Sequence, residues 1–388
     1  MVRTMHKIHC LNNISKVGLS HLKKTYNLTE HLEDAEAILV RSFQMHDLSL
    51  NKKTLAVARA GAGVNNIPLD IYGKEGIVCF NTPGANANAV KELTILGMLL
   101  ASRDVFGGMT WLETQKNNHE VHKTVEKEKA KYGGTEIYGK TIGIIGLGAI
   151  GEKLALSCHA LGMKVIATKR NLTTIDLNMF PNDIEFVKSP EEVYHKADFI
   201  SLNLPLNQDT KHMINQKALS HMKDGVIILN FARAELVSDD DLLKAIESNK
   251  VRAYVTDFPT VQTINMPKVI AIPHLGASTE EAEDNCAIMA VHQLTNFIEN
   301  GDIKNSVNYP DVTLGDKKGK HRLLIMYEGG LSLLDTLQPY FAKMHVKSVI
   351  DRKNHQFGYL AIDLDDDIRK EMISCLEDMQ GIYRVRVI

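Results

Sequence analysis

A chain of 388 residues is too long for one ordinary hydrophobic core, so its length predicts two or three domains. Hydrophobic residues make up 44% of the chain and charged residues 24%, which is typical of a globular protein in water. The formal net charge of −2 gives no general attraction to nucleic acids or acidic membranes, and we expect neither as a partner.

Cysteine placement and hydropathy bear on where the protein resides. The five cysteines are scattered, with no CxxC pair and no metal-ligand spacing, which favours reduced thiols and predicts no metal site. The opening residues, MVRTMHKIHCLNN, lack the apolar core of a signal peptide. No window approaches the roughly 20 apolar residues that span a bilayer. We therefore expect a soluble, cytoplasmic protein.

The first part of the chain alternates short apolar runs with helix-length segments. The runs KIHCL, AILVRS, LAVARAGAG and IVCFNTPG predict buried strands, and this alternation is typical of an α/β domain with a parallel sheet. A single long apolar helix is predicted over ANAVKELTILGMLLASRDVFGGM. A polar surface excursion is expected to follow over residues 113–138.

A second α/β series begins at Thr141. Its six strand signals are KTIGIIGLGAIG, GMKVIATKR, ADFISLNLPL, GVIILNFARA, RAYVTDFP and KVIAIPHLG, and helical segments between them predict a doubly wound sheet. After a helix and the polar linker NSVNYPDVTLGDKKGK, residues 321–388 show the order strand, helix, strand, strand, helix, strand. This order predicts a small ferredoxin-like α+β domain.

The most specific motif is a glycine turn. Gly146, Gly148 and Gly151 form G-x-G-x-x-G between a β-branched strand and an amphipathic helix. The first glycine permits a tight turn, the second lets backbone approach a pyrophosphate, and the third lets helix and strand pack closely. A glycine triplet alone would also suit a structural loop, but its place in a βαβ unit favours dinucleotide binding at the helix N-terminus.

The end of the second strand in this unit carries no acid. An Asp or Glu there would bind the ribose hydroxyls of NAD, whereas here the chain has Thr168, Lys169 and Arg170. Lys169 and Arg170 could attract the 2′-phosphate of NADP, or they could be solvated charges beside a ribose held by other contacts. NAD is therefore expected, with NADP as an open alternative.

Several long motifs carry a family resemblance. They are RAGAGVNN (59–66), NTPGANANAVKELT (81–94), YGKTIGIIGLGAIG (138–151), LNFARAELVSDDDLL (229–243) and IPHLGASTEEAEDNCA (272–287). With these motifs in order, the chain resembles the D-isomer-specific 2-hydroxyacid dehydrogenases, and most of all the phosphoglycerate dehydrogenase branch, which carries a C-terminal ACT domain.

The resemblance implies a domain arrangement. A flavodoxin-like substrate-binding domain would comprise residues 1–88 and 290–312, with a Rossmann-type dinucleotide-binding domain inserted over 89–289. An ACT-like domain would follow over 319–388. Such domains pair with another copy in relatives and can bind serine, but the corresponding segments here, MYEGGLS and HVKSV, contain no Asn. We therefore expect a homo-oligomer, dimer or tetramer, more than serine regulation.

The resemblance also assigns the catalytic pair. Arg233 matches the family's catalytic Arg, whose planar fork can bind a carboxylate bidentately. His274 matches the proton donor and acceptor, and its unperturbed pKa of about 6.5 suits reversible proton transfer. The competing interpretations are an Arg in a surface ion pair and a His in a structural turn.

One departure from the family concerns the partner of His274. Relatives usually place a Glu shortly after the Asp of this segment. In this chain the segment is DFPTVQ, and Val261 or Gln262 stands at the position of that Glu. Three alternatives stay open at this point. Glu280 or Glu281 could fold back, a backbone carbonyl, hydroxyl or water could orient the ring, or the chain could be a poor enzyme.

The resemblance also predicts which residues contact the cofactor and the substrate. Cofactor contacts are predicted at Gly146, Gly148, Ala149, Ile150, Gly151, Lys169, Arg170, Leu204, Pro205, Phe231, Ala232, Asp257, Gly276 and Ala277. Substrate contacts are predicted at Arg41, Arg59, Ala60, Gly61, Ala62 and Gly63.

Two arginines in the first domain favour a phosphorylated 2-hydroxy acid over lactate or glyoxylate. The resemblance thus implies oxidation of 3-phospho-D-glycerate; the alternatives are another D-2-hydroxyacid substrate, such as hydroxypyruvate or glyoxylate, and a dinucleotide-responsive binding protein with vestigial catalysis.

Overall fold

The computed structural model describes residues 5–388, which divide into two compact units. One unit combines the first segment, up to residue 86, with residues 280–388, and the other comprises residues 87–279. Within residues 5–388, no helix has both the length and the apolar character that crossing a membrane would require.

The first segment forms a five-stranded parallel sheet. Its elements are β1 (His6–Cys10), α1 (Lys16–Leu19), β2 (Tyr26–Leu28), β3 (Ala37–Val40), β4 (Ala56–Arg59), α2 (Leu69–Lys74) and β5 (Val78–Phe80). The strand order β2-β1-β3-β4-β5 is that of flavodoxin-like sheets, which confirms the predicted fold. All four strands predicted here are present. The short β2 was missed because only one of its three residues is buried.

The second unit contains a seven-stranded parallel sheet with helices on its faces. Its elements are α3 (Ala87–Ser102), α4 (Val105–Glu113), α5 (Val121–Glu128), β6 (Thr141–Ile145), α6 (Ala149–Ala160), β7 (Lys164–Thr168), β8 (Glu185–Val187), α7 (Pro190–Lys196), β9 (Phe199–Leu202), α8 (Gln216–His221), β10 (Val226–Asn230), α9 (Asp239–Glu247), β11 (Val251–Thr256) and β12 (Val269–Ala271). The order β12-β11-β10-β9-β6-β7-β8 is doubly wound, which confirms the Rossmann-type prediction and adds the short edge strand β8.

The prediction of one long helix after residue 86 was wrong. Helix α3 ends at Ser102, and the Asp104 carboxylate accepts a hydrogen bond from the Gly107 N–H at 2.9 Å, which starts α4. An Asp at this position satisfies an unpaired N–H of a new first turn, so the chain changes direction there. The polar excursion over 113–138 also contains the two-turn helix α5.

The rest of the first unit begins with a long helix and ends in an antiparallel sheet. Its elements are α10 (Glu280–Asn300), β13 (His321–Glu328), α11 (Leu333–Phe341), β14 (Val346–Lys353), β15 (Phe357–Leu364), α12 (Lys370–Glu377) and β16 (Ile382–Val387). The strand order β14-β15-β13-β16 confirms the predicted ferredoxin-like, ACT-like domain.

Both faces of this antiparallel sheet are covered. In β13, Leu323, Ile325 and Tyr327 pack with the helices of the C-terminal domain, whereas Leu324 and Met326 join the core of the first sheet. Alternate residues of a strand point to opposite faces, so every residue from Arg322 to Tyr327 is buried. The C-terminal sheet is therefore packed onto the first sheet within one unit.

The position of α10 bears on the predicted domain bounds. The sequence interpretation assigned residues 280–289 to the dinucleotide domain, whereas the structure groups α10 from Glu280 onward with the first segment. The reason is local packing, since α10 contacts α1 and β4 and buries Cys286, Ala287 and Ala290 in the first core. The functional names of the domains stay a prediction.

A buried ion pair joins the C-terminal sheet to the linker before it. Arg322 is bidentate to Asp363, with Nε and Nη2 at 2.7 and 2.9 Å from the two carboxylate oxygens. The remaining donors reach the carbonyl oxygens of Asn300, Gly315 and Asp316 at 2.8 to 3.3 Å. Both side chains are almost fully buried, so each charge depends on the other.

Replacing the acid of this pair should destabilise the unit. Asp363→Asn leaves the Arg322 charge buried without its counterion, and we expect a loss of about 3 kcal/mol in the free energy of unfolding, measured with urea. The matched control Asp367→Asn removes an exposed partner of Lys320 and should leave the free energy of unfolding nearly unchanged, because solvent screens that pair. Equal losses in the two variants would contradict this account.

The same pair predicts acid sensitivity. Burial alone would raise the pKa of the Asp363 carboxyl, but hydrogen bonds from Arg322 and the Lys318 N–H outweigh it and hold that pKa below its ordinary value. The stabilisation is therefore present above the unfolded pKa of about 4 and is lost as the pH falls through the lower folded pKa. Asp363→Asn should lack this part of the acid-induced loss.

Candidate active site

The sheet of the second unit brings most of the predicted site residues to one edge. Its register aligns the last residues of six parallel strands: Thr168, Ile145, Leu202, Asn230, Thr256 and Ala271. The loops after these strands carry the predicted cofactor contacts and the catalytic pair. This carboxyl edge is where doubly wound sheets bind ligands.

The glycine turn after β6 has the geometry that a phosphate contact requires. Gly146 has a φ of +98°, and an added Cβ would collide with the backbone of Asn203. A Cβ on Gly151 would collide with the Gly146 carbonyl oxygen, so helix and turn pack closely. A Cβ on Gly148 would meet no heavy atom within 4 Å, so the backbone there is open to a ligand at the start of α6.

The basic residues after β7 both have acidic neighbours. Lys169 Nζ lies 3.8 Å from a carboxylate oxygen of Glu152 in the first turn of α6. Arg170 lies 3.5 Å from Asp209, and both side chains are more than 80% exposed. These pairs reduce the attraction of the two cations for an added phosphate.

The catalytic pair predicted from the sequence is joined by an aromatic ring that the sequence interpretation overlooked. The guanidinium carbon of Arg233 lies 5.3 Å from the centre of the Phe258 ring, a cation–π distance. The imidazole of His274 contacts the same ring, with the centroids 4.3 Å apart and the planes tilted by 47°. Phe258 thus holds Arg233 and His274 around one apolar surface.

Asp257 is the acidic residue of this cluster. It is 2% exposed, and its Oδ2 accepts a hydrogen bond from the Gly276 N–H at 3.3 Å. Burial raises the pKa of the Asp257 carboxyl, while the nearby charges of His274 and Arg233 and the Gly276 N–H oppose that rise. Oδ1 has no hydrogen-bond partner within residues 5–388, so one buried acceptor is left over. This acceptor fits the amide donors of a nicotinamide, consistent with the predicted cofactor contact.

The shortened segment after Phe258 turns away from His274. The Thr260 hydroxyl donates to Asp239 at 2.7 Å, and the Gln262 amide donates to Asp240 at 3.3 Å, both at the start of α9. Val261 is 86% exposed. In the part of the chain that the structure describes, no side chain hydrogen-bonds to the His274 ring, and His274 is close enough to Asp257 to lower the pKa of its carboxyl.

Arg233 is placed by a buried amide. Asn230, the last residue of β10, donates to the Arg233 carbonyl oxygen at 2.8 Å and to the Tyr254 hydroxyl at 2.9 Å. The side-chain oxygen Oδ1 of Asn230 accepts a hydrogen bond from the Ala232 N–H at 3.2 Å. Arg233 Nη1 donates to the Ala232 carbonyl oxygen, and the charge faces no carboxylate within 4 Å among residues 5–388. Asn230 was missed because its partners are local backbone atoms and a neighbouring strand.

The predicted substrate contacts lie in the first unit, at the ends of β3 and β4. Arg59 Nε donates to the Arg41 carbonyl oxygen at 2.8 Å, and the Gly61 N–H donates to the Arg59 carbonyl oxygen at 2.9 Å. The Asn81 amide donates to the Ala62 carbonyl oxygen, which ties the loop 60–63 to the end of β5. Arg41 forms an ion pair with Glu283 at 2.6 Å.

Metal chemistry has no visible support in the described chain. Residues 5–388 contain no group of three or more His, Cys, Asp or Glu side chains placed to hold a metal ion.

Comparisons with known proteins agree with this geometry. Residues 97–276 match the family model described as D-isomer specific 2-hydroxyacid dehydrogenase, NAD binding domain. The chain is 28% identical over 377 residues to D-3-phosphoglycerate dehydrogenase of Haemophilus influenzae, covering 93% of this chain and 88% of that protein. It is 33% identical over 291 residues to hydroxypyruvate reductase of Thermotoga maritima, covering 72% and 90%.

A solved structure gives the same assignment. The NAD⁺-bound 3-phosphoglycerate dehydrogenase of Entamoeba histolytica matches with a TM-score of 0.61 and 25% identity, covering 78% of this chain and 99% of that one. Together with the carboxyl-edge glycine turn and the Arg233 and His274 cluster, these matches place the protein. The chain belongs to the D-isomer specific 2-hydroxyacid dehydrogenase family and contains its NAD-binding domain.

Proposed function

We propose that this enzyme is a D-3-phosphoglycerate dehydrogenase, which interconverts 3-phospho-D-glycerate and 3-phosphohydroxypyruvate as the first step of L-serine biosynthesis. The observation that carries this proposal is the length of the match. Similarity to a D-3-phosphoglycerate dehydrogenase extends over 93% of the chain, whereas similarity to the hydroxypyruvate reductase covers 72%.

All five cysteines are free, which supports a reducing, cytoplasmic location.

The proposed chemistry follows from the cluster at the carboxyl edge. Bound NAD supplies the nicotinamide that accepts the hydride from C2 of the substrate. Arg233 binds the substrate carboxylate and polarises the C2 oxygen. It is available for this role because, among residues 5–388, it forms no ion pair with a protein carboxylate. His274 takes the C2 hydroxyl proton in the oxidative direction and returns it in the reductive one.

Two neighbours position the proton carrier. Phe258 packs against the His274 ring and limits its rotation, while Asp257 stabilises the positive charge that the ring gains with the proton. We propose that this charge at a distance substitutes for the hydrogen-bonded Glu of relatives. Glu280 and Glu281 lie in the first turn of α10, in the other unit, and this account does not require them.

The proposed cofactor preference is for NAD. The pairing of Lys169 with Glu152 and of Arg170 with Asp209 places a negative charge beside each basic residue. A 2′-phosphate would be repelled by these carboxylates, which offsets the attraction of the cations.

A second candidate function is hydroxypyruvate reduction. It is favoured by the 33% identity to the Thermotoga maritima enzyme and by the ion pair of Arg41 with Glu283, which engages a predicted phosphate contact.

We also infer self-association through α4. This helix exposes an apolar surface formed by Val105, Phe106, Met109 and Leu112, with Phe106 72% exposed. A second copy of the chain would cover this surface, because a cluster of large apolar side chains exposed to water on one helix face is unfavourable.

A two-by-two assay separates the functions. Phosphohydroxypyruvate and hydroxypyruvate are each tested with NADH and NADPH. We expect kcat/KM to be at least about 100-fold higher for the phosphorylated acid, since one charge-assisted contact contributes about 3 kcal/mol. We expect NADH to exceed NADPH by at least about tenfold.

Other results would select another function. Equal turnover of both acids would replace the proposal with hydroxypyruvate reduction. Tight NADH binding without turnover of any 2-oxo acid would identify a binding protein. A preference for NADPH would show that Lys169 and Arg170 act on the cofactor despite their carboxylate partners.

The proton carrier is tested by two variants. His274→Gln removes the titratable group and should lower kcat by about 1,000-fold, while NADH binding followed by fluorescence is retained. Gln262→Ala serves as the control, because Gln262 faces Asp240, and its kcat should stay within about twofold of the unchanged enzyme. A comparable loss in both variants would show that the segment after Phe258 does hold the His274 ring.

The oligomer is tested by changing the charge of the α4 surface. Phe106→Asp should shift the mass measured by light scattering toward that of a monomer, because a buried unpaired carboxylate opposes association. Ile71→Asp, which changes an equally apolar exposed residue on α2, is the control and should leave the mass unchanged. An unaltered mass in Phe106→Asp would exclude α4 as the interface.

A further inference from the structure

A cavity lies where the last strand of the C-terminal domain meets the first sheet, inside one unit. Its volume is about 680 Å³. Its lining comes from the segment before β4, the end of α2, the end of α12 and β16, and it includes four basic residues: Lys52, Lys53, Arg384 and Arg386. The active site proposed above uses none of them.

Arg384 reaches from β16 onto the first sheet. Its two terminal nitrogens donate to the carbonyl oxygens of Thr54 and Glu75 at 2.6 and 2.9 Å. The side chain lies against Gly76, where a Cβ would collide with it. These contacts fix the guanidinium without an ion pair, since both hydrogen-bond acceptors are backbone atoms.

Arg386 is held in a similar way two residues later, on the same face of the strand. Its guanidinium lies 4.9 Å from the centre of the Phe297 ring, and Nη2 donates to the Ile298 carbonyl oxygen at 3.1 Å. Nη1 is buried and has no hydrogen-bond acceptor among residues 5–388. A buried guanidinium donor without an acceptor is rare, because the loss of hydration is not offset.

The charge balance of the cavity is positive. Neither Arg384 nor Arg386 has a carboxylate within 4 Å in the described chain, in contrast to Arg322, which is bidentate to Asp363. Burial lowers the pKa of the Arg384 and Arg386 guanidinium groups, and the repulsion between them lowers that of Arg384 further. Glu75 and Glu377 also line the cavity and offset two of its four positive charges.

We propose that this cavity binds a small anion that carries a phosphate or carboxylate group. Arg384 and Arg386 supply two positive charges that backbone carbonyl oxygens hold in place, and the exposed lysines Lys52 and Lys53 attract the anion from solution. The bound anion would join β16 to the segment that leads into β4. The site is separate from the proposed catalytic cluster, so its failure would leave the proposed function untouched.

Calorimetric titration of the full-length chain with sodium phosphate, at constant ionic strength, tests the site. We expect a binding event that Arg386→Gln abolishes and that the surface double variant Lys52→Gln/Lys53→Gln weakens by at least about tenfold. Parallel titration with malonate distinguishes a phosphate preference from a carboxylate preference. The lysine variant decides the result if Arg386→Gln fails to fold, as judged by circular dichroism.

Two controls separate this site from others. Arg352→Gln removes an exposed arginine of β14 and should leave binding unchanged. Arg41→Gln should remove only phosphate bound at the predicted substrate contact. The proposal is overturned if Arg386→Gln, folded, and the lysine variant bind both anions as the unchanged protein does. It is also overturned if the unchanged protein binds neither anion, or if Arg41→Gln alone removes all binding.

Discussion

The proposed site depends on the electrostatic interactions of the buried Asp257 carboxyl group. Burial raises the pKa of the Asp257 carboxyl, and the Gly276 N–H and the nearby His274 and Arg233 side chains oppose part of that rise. These partners come from the loops after β12 and β10, while Asp257 follows β11. This carboxyl group therefore links three neighbouring strand ends, next to the Phe258 ring that Arg233 and His274 both contact.

The register of the parallel sheet makes this linkage possible. Asn230 pairs with Thr256, and Thr256 pairs with Ala271, so the three strands end at one level. Chain segments far apart in sequence then leave the sheet side by side, which is why an Arg, an Asp and a His separated by many residues form one cluster. The sheet supplies the position, and the short loops supply the chemistry.

Most of the fold could be predicted from the sequence because it depends on local signals. Apolar runs at strand length and the glycine turn identified both parallel sheets, and the final strand and helix order identified the third. The break between α3 and α4 was missed because one side chain, Asp104, decides it within an otherwise apolar run. Arg233 and His274 could be named from motifs, whereas Phe258 and Asn230 act through contacts that no motif encodes. The acidic partners of Lys169 and Arg170 could not be predicted from the sequence either, because these pairs depend on the directions of the side chains.

The arginines of this protein differ in what neutralises them, and the difference separates structural roles from ligand-binding ones. Arg322 is neutralised by Asp363 in a fully buried ion pair, which stabilises the fold. Arg233, Arg384 and Arg386 are instead held by carbonyl oxygens, and Arg233 and Arg386 also by an aromatic ring. Such contacts fix the position of a guanidinium without neutralising it, which costs desolvation free energy unless an anion completes the site. In the catalytic cluster the substrate carboxylate would be that anion. At β16, the proposed anion would have the same role.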